Sequence, residues 1–393
     1  MISIRPFAID VPQADLDDLR RRLAATRWAA DFNNADWRYG VEAGWLKEMA
    51  AYWRDGFDWR KQEAAINAHP QFIAEIDGVP VHFLHIRGKG PNPIPLVLTH
   101  GWPWTFWDYR HLIGPLTDPA AHGGDPKLSF DLVIPSLPGF GFSTPLTVPG
   151  IDVRSIARFW VRLMTEGLGY RRFGVGGGDW GALISGQLGH EHDDYLIGCY
   201  LTMCYWPGVD FFKTRPADFA PDEQWMLKRR SEAADLAFSH FTVQRLDPQT
   251  LAYALEDSPV GAAAWLWERR RSWSDPNGDR LLDRDDLCTL ASIYWLPPAI
   301  ASSFRLYGEQ WRNSISLGPV HDRTPVIAAP TAFAVFPKDI TFVPLKMAAE
   351  ATNLQQWTVM PKGGHFGPAE QPDLVIPDLR RFFSLPACQE RRR

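Results

Sequence analysis

Five short apolar runs constrain this chain more than any other feature. PLVLTHG (95–101), FDLVIPSLPG (130–139), RRFGVGGG (171–178), YLIGCYLT (195–202) and AFAVFP (332–337) are bounded by Gly, Pro or Asp, as strands buried on both faces are. Stretches of helical period, notably DVRSIARFWVRLMTEGLG and WGALISGQLGHEH, separate several of them. Strand and helix in alternation predict an α/β fold, with a mostly parallel sheet covered by helices on both faces.

The rest of the chain arranges itself around that sheet. Residues 1–70 read as a helical segment, because ADLDDLRRRLAATRW and GWLKEMAAYWRDGFDWRKQEAAINA space apolar residues three and four apart between charges. The period then changes to two in QFIAEIDGVPVHFLHI, which alternates about Asp77-Gly78 and predicts a hairpin. The α/β core is expected over 71–205 and 323–393. Between them, 206–322 is helix-rich, with PDEQWMLKRRSEAADLAFSHF and PVGAAAWLWERRRSW, and sits where a lid over the strand ends would be.

Composition excludes several classes of function. A formal charge of −5 leaves no footprint for nucleic acid or an anionic membrane. MISIRPFAID lacks the apolar centre of a signal peptide, and no stretch approaches the roughly 20 apolar residues of a membrane span, so a cytoplasmic protein without a membrane anchor is expected. Cys199, Cys204, Cys288 and Cys388 show no CxxC spacing and read as free thiols. GHEHDD (189–194) has the composition of a metal site but falls at a helix end. DPNGDRLLDRDD (275–286) resembles an EF-hand loop, yet carries Arg280 where the turn needs glycine; no metal is expected. The 18 Trp, 23 Phe and 10 Tyr point to an apolar cavity walled by rings.

GVGGGDWGALIS (174–185) carries the chemistry and has two incompatible readings. Gly176, Gly178 and Gly181 fit the dinucleotide fingerprint G-x-G-x-x-G, whereas Gly177-Gly178-Asp179-Trp180-Gly181 fits a nucleophile elbow with aspartate as nucleophile. A dinucleotide fold opens with its fingerprint, but here about 175 residues precede it, and Asp179 would repel the pyrophosphate. The elbow reading predicts an acid after a late strand and a histidine near the C-terminus. Asp339 follows AFAVFP, and His365 lies in PKGGHFGPAEQP. An oxyanion hole needs two backbone N–H groups: Trp180 follows the nucleophile, and Trp102 lies in PLVLTHGWPW directly after a strand. In this reading Gly177 and Gly181 permit the sharp turn and Gly178 keeps the approach clear.

With these motifs in hand, the chain resembles the microsomal-type epoxide hydrolases of the α/β-hydrolase fold. The resemblance covers nearly the whole chain: RLAATRW and YWRDGFDWRKQEAAIN, then HGWPWTFWDY, PSLPGFGFS, GGGDWG, DSPVGAAAWLWE, FPKD and GGHF. The N-terminal segment makes it specific, since H-G-x-P and D-W-G also occur in related dehalogenases. It implies that Asp179 attacks an apolar epoxide to form a hydroxyalkyl ester, that His365 activates water as co-substrate, that Asp339 orients His365, and that no cofactor takes part. Two lid tyrosines protonate the epoxide oxygen in that family. Tyr307 matches one, and the place of the other falls at His240, either a substitute donor or a residue that only lines the pocket. A homodimer is compatible with the resemblance. A haloalkane-type dehalogenase would share Asp179, His365 and a halide-binding Trp180 indole, with Tyr307 and the N-terminal segment against it. A non-catalytic binder on this fold would have no need of a nucleophile.

Overall fold

The computed structural model describes residues 2–211, 213–277, 283–311 and 318–392. Its first element corrects the helical reading of residues 1–70: β1 (Ser3–Phe7) pairs antiparallel with β2 (Gln71–Ile76), Ser3 opposite Glu75 and Phe7 opposite Gln71. Three helices then follow, α1 (Gln13–Ala24), α2 (Ala43–Asp55) and α3 (Trp59–Asn67), and each buries its apolar stripe, for example Leu16, Leu19 and Leu23 of α1. Side chains start the last two. Glu42 accepts the N–H groups of Gly44 and Trp45, and Asp58 that of Lys61.

The hairpin forms where expected. β2 and β3 (Val79–Ile86) meet across Asp77 and Gly78, whose φ angles of 52° and 78° are those of a primed turn. Beyond it lie β4 (Ile94–Thr99), β5 (Phe130–Pro135), β6 (Phe173–Gly177), β7 (Leu196–Leu201), β8 (Ile327–Val335) and β9 (Thr352–Val359). The nine strands run in the order β1-β2-β3-β5-β4-β6-β7-β8-β9, antiparallel as far as β3–β5 and parallel from there on. This is the α/β-hydrolase arrangement. The strand β9 was not foreseen: its burial is patchy and Asn353, Gln355 and Gln356 break any apolar run, as at a sheet edge.

The helices of the sheet include α4 (Arg110–Thr117), α5 (Val153–Arg162) and α6 (Trp180–Glu191). Buried on every side from Trp180 to His190, α6 shows no amphipathic stripe. The insertion between β7 and β8 carries α7 (Gln224–Leu246), α8 (Pro248–Asp257), α9 (Pro259–Trp273), α10 (Arg284–Trp295) and α11 (Ile300–Trp311).

Of the motifs set aside above, His190 has both ring nitrogens engaged, Nδ1 at 2.8 Å from the Val326 carbonyl and Nε2 accepting the Val320 N–H. Part of the EF-hand-like stretch, Arg280 included, lies outside the described residues. All four cysteines are free and buried. Among the described residues no single helix is long and apolar enough to cross a membrane.

Candidate active site

The site grows from the meeting of β4 and β6, where Thr99 stands opposite Gly177 at the carboxyl ends of both strands. Chain reversal from β6 into α6 leaves little room there. A side chain on Gly177 or Gly181 would collide with the Thr99 carbonyl, so these glycines serve close approach of backbone. This sharpens the sequence reading, because the unusual dihedrals belong to Asp179 itself, with φ of 51° and ψ of −128°. A non-glycine residue held there costs about 1–3 kcal/mol and signals function. It stands at the N-cap position of α6, but its side chain makes no capping hydrogen bond; the carboxylate turns toward the cavity.

That carboxylate has three kinds of neighbour. Oδ1 accepts the Trp102 N–H at 2.8 Å, and the Trp180 N–H also bonds to the group. Oδ2 lies 3.3 Å from His365 Nε2, and His365 Nδ1 is 2.7 Å from Asp339 Oδ1. His365 and Asp339 are sealed, their side chains 1% and 4% exposed, while Asp179 keeps 17% open. Burial alone would raise the Asp179 pKa, but the hydrogen bond and charge of His365 and the two N–H groups hold it below the usual carboxylate range. Desolvation likewise opposes a charged His365, yet the adjoining Asp339 and Asp179 raise its pKa to about 9. At neutral pH the pair is therefore carboxylate and imidazolium.

The loop that carries Trp102 is braced by buried polar groups. His100, neutral because burial lowers its pKa to about 4, donates from Nδ1 to the Gly101 carbonyl at 2.9 Å and accepts the Leu137 N–H at Nε2. The Tyr109 hydroxyl donates to the Thr99 carbonyl, and that of Tyr294 in α10 to Trp104.

Sequence reasoning missed a second set of polar residues behind His365. Glu370 accepts N–H groups from Asp275, Gly364 and Phe366 at 2.8, 3.0 and 2.9 Å, and Asp275 accepts that of Gly363 at 2.9 Å. They clamp the histidine loop to the end of α9. Arg270 of α9 covers the Phe366 ring and pairs with Asp108, which in turn holds the Thr105 N–H. No spacing rule announces the contacts that Asp275 and Arg270 make, since these join segments far apart in the chain.

Over Asp179 lies a cavity of about 900 Å³, lined by Leu183, Met203, Phe238, Phe241 and Trp311 among others, with Trp180, His240 and Tyr307 beside the carboxylate. The rings foreseen from composition are here. Tyr307 of α11 packs edge-on against Trp180 at 4.8 Å, and His240 of α7 stacks on Trp102 at 5.0 Å. Burial, then the Asp179 charge, push the Tyr307 phenol well above its ordinary pKa, leaving it a neutral proton donor. The structure thus brings all seven residues singled out from the sequence to one end of the sheet.

Known proteins share this fold. A family profile described as the epoxide hydrolase N terminus matches residues 4–109, and one described as the alpha/beta hydrolase fold matches residues 94–372. A relative from Stigmatella aurantiaca is 39% identical across 97% of this chain and 85% of its own length. Epoxide hydrolase 1 of Oryctolagus cuniculus is 32% identical across 98% of this chain and 89% of its own. The crystal structure of juvenile hormone epoxide hydrolase from the silkworm Bombyx mori matches with a TM-score of 0.86 at 25% identity, covering all of this chain and 95% of that one. Near-complete coverage by such relatives, together with the N-terminal profile, shows that the chain belongs to the microsomal-type epoxide hydrolase family of the α/β-hydrolase fold.

Proposed function

We propose that the enzyme converts an apolar epoxide to a vicinal diol through a covalent ester on Asp179. The observation that carries this reading is the two-faced Asp179 carboxylate, with Oδ1 held by backbone N–H groups and Oδ2 beside His365 under an apolar roof. Oδ2 attacks an epoxide carbon, the ring C–O bond breaks with its electron pair on oxygen, and Tyr307 supplies the proton. Oδ1 is then the carbonyl oxygen of the ester and already rests in the oxyanion hole.

Esterification also prepares the next step. It removes the Asp179 charge, one of the two that keep His365 protonated, so the imidazole pKa falls, the ring releases its proton to solvent and neutral His365 can act as base; the ring takes a proton back from solvent once the Asp179 carboxylate is regenerated. His365 takes a proton from water, which attacks the Asp179 carbonyl carbon while the Trp102 and Trp180 N–H groups hold the oxyanion. Collapse breaks the ester bond, and the departing diol oxygen takes the proton from His365. Asp339 orients the ring throughout. No step calls for a metal or an organic cofactor. Leu183, Met203, Phe241 and Trp311 support an apolar or ring-bearing substrate. Four free thiols support a reducing, cytoplasmic setting.

A single turnover in ¹⁸O-labelled water with an aryl epoxide tests this. The first diol should carry no label and Asp179 should acquire it; label in the first diol would mean direct attack by water.

A further inference from the structure

His240 and Tyr307 touch each other as well as the cavity: His240 Nε2 lies 3.2 Å from the Tyr307 hydroxyl. The imidazole cannot easily turn away, because it stacks on Trp102 at an interplanar angle of 12° and packs 4.8 Å from Trp273. Its Nδ1 is buried and has no hydrogen-bond partner among the described residues. Burial holds its pKa near about 3 against the pull of the Asp179 charge, so the ring is neutral and carries one proton.

Two proton arrangements fit that geometry. With the proton on Nδ1, Tyr307 donates to Nε2, its proton is committed there, and a buried N–H is orphaned. With the proton on Nε2, the imidazole donates to the phenol oxygen, the orphan is only a lone pair, and the phenol proton is free for the cavity. Buried N–H groups without partners are rarer than under-satisfied acceptors. We infer that His240 is a positioning residue, a neutral Nε2–H donor that aims the Tyr307 proton at the epoxide oxygen and stabilises the phenolate left behind.

The inference rests on the ester reading above. As Asp179 Oδ2 bonds to carbon, the electron pair of the broken C–O bond takes the Tyr307 proton, while His240 keeps its own. Water later brings two protons: one passes through His365 to the departing oxygen, and the other leaves the regenerated Asp179 carboxyl to restore Tyr307.

Single-turnover rates of ester formation separate the alternatives, because a glutamine amide mimics Nε2 and an asparagine amide mimics Nδ1. Tyr307→Phe should slow the step about 100-fold, the scale of general acid catalysis. His240→Phe should slow it about tenfold, the worth of one hydrogen bond to a charged group. His240→Gln should recover to within about threefold of wild type, His240→Asn should stay as slow as His240→Phe, and ester hydrolysis should be unchanged in all three. A wild-type rate in His240→Phe, or no gain in His240→Gln, overturns the inference. Rescue by His240→Asn overturns it too, making Nδ1 the direct donor. Failure of the ester reading looks different: label enters the first diol of the wild-type enzyme.

Discussion

On the floor of the cavity Asp179, His365 and Asp339 form an unbroken chain with contacts of 3.3 and 2.7 Å, and backbone N–H groups complete it. In the roof, His240 and Tyr307 share one contact of 3.2 Å among rings, and Nδ1 of His240 has no partner among the described residues. The floor hangs on strand ends, whose spacing the sheet's hydrogen bonds hold rigid. The roof hangs on helices joined to one another by side-chain packing. A reaction common to many epoxides belongs on the first, and discrimination among substrates on the second.

The contrast predicts a ranking of effects. Asp179→Asn should abolish turnover, by roughly 10⁴-fold or more in freshly prepared enzyme with an unchanged circular dichroism spectrum. Residual turnover above that level would remove the floor's nucleophile. His365→Gln should still form the ester but hydrolyse it roughly 10³-fold more slowly, so that a burst of one equivalent precedes arrest. An absent burst would place His365 in the first half of the reaction.

A milder effect follows from the raised His365 pKa. Since the folded value of about 9 exceeds the unfolded value of about 6.5, the stabilisation is complete below pH 6.5 and disappears as pH rises through 9. Urea denaturation should show a loss of about 3 kcal/mol over that window, and Asp179→Asn should flatten it. An equal slope in both proteins would mean that Asp179 does not hold the imidazolium.

Smallest of all should be Phe241→Ala, whose ring packs 4.7 Å from Trp311 and 6.1 Å from Tyr307. KM for a bulky epoxide should rise about tenfold with kcat nearly constant. A fall in kcat to match would show that roof and floor are not separable.

Much of this architecture is legible along the chain. The five apolar runs became β4 to β8, and Asp77-Gly78 became the hairpin turn, because both signals are local. β1 and β9 escaped because an edge strand buries too little to impose a pattern on its residues. At the site, Glu370 reads as an ordinary residue after a Gly-Gly-His; only its burial and its bond to the Asp275 N–H, 95 positions away, reveal the clamp. Gly177 and Gly181 were read correctly as steric necessities, but the close neighbour that requires them, the Thr99 carbonyl, is 78 and 82 positions away.

The sequence by itself determined which residues are the candidates for nucleophile, acid and base, since parallel strands bring their carboxyl ends to one edge in an order written in the chain. Only the tertiary structure decided how those groups are charged and where their protons point. Protonation follows from burial and from partners met through space: Asp179 and Asp339 charge His365, and desolvation between two indoles keeps His240 neutral.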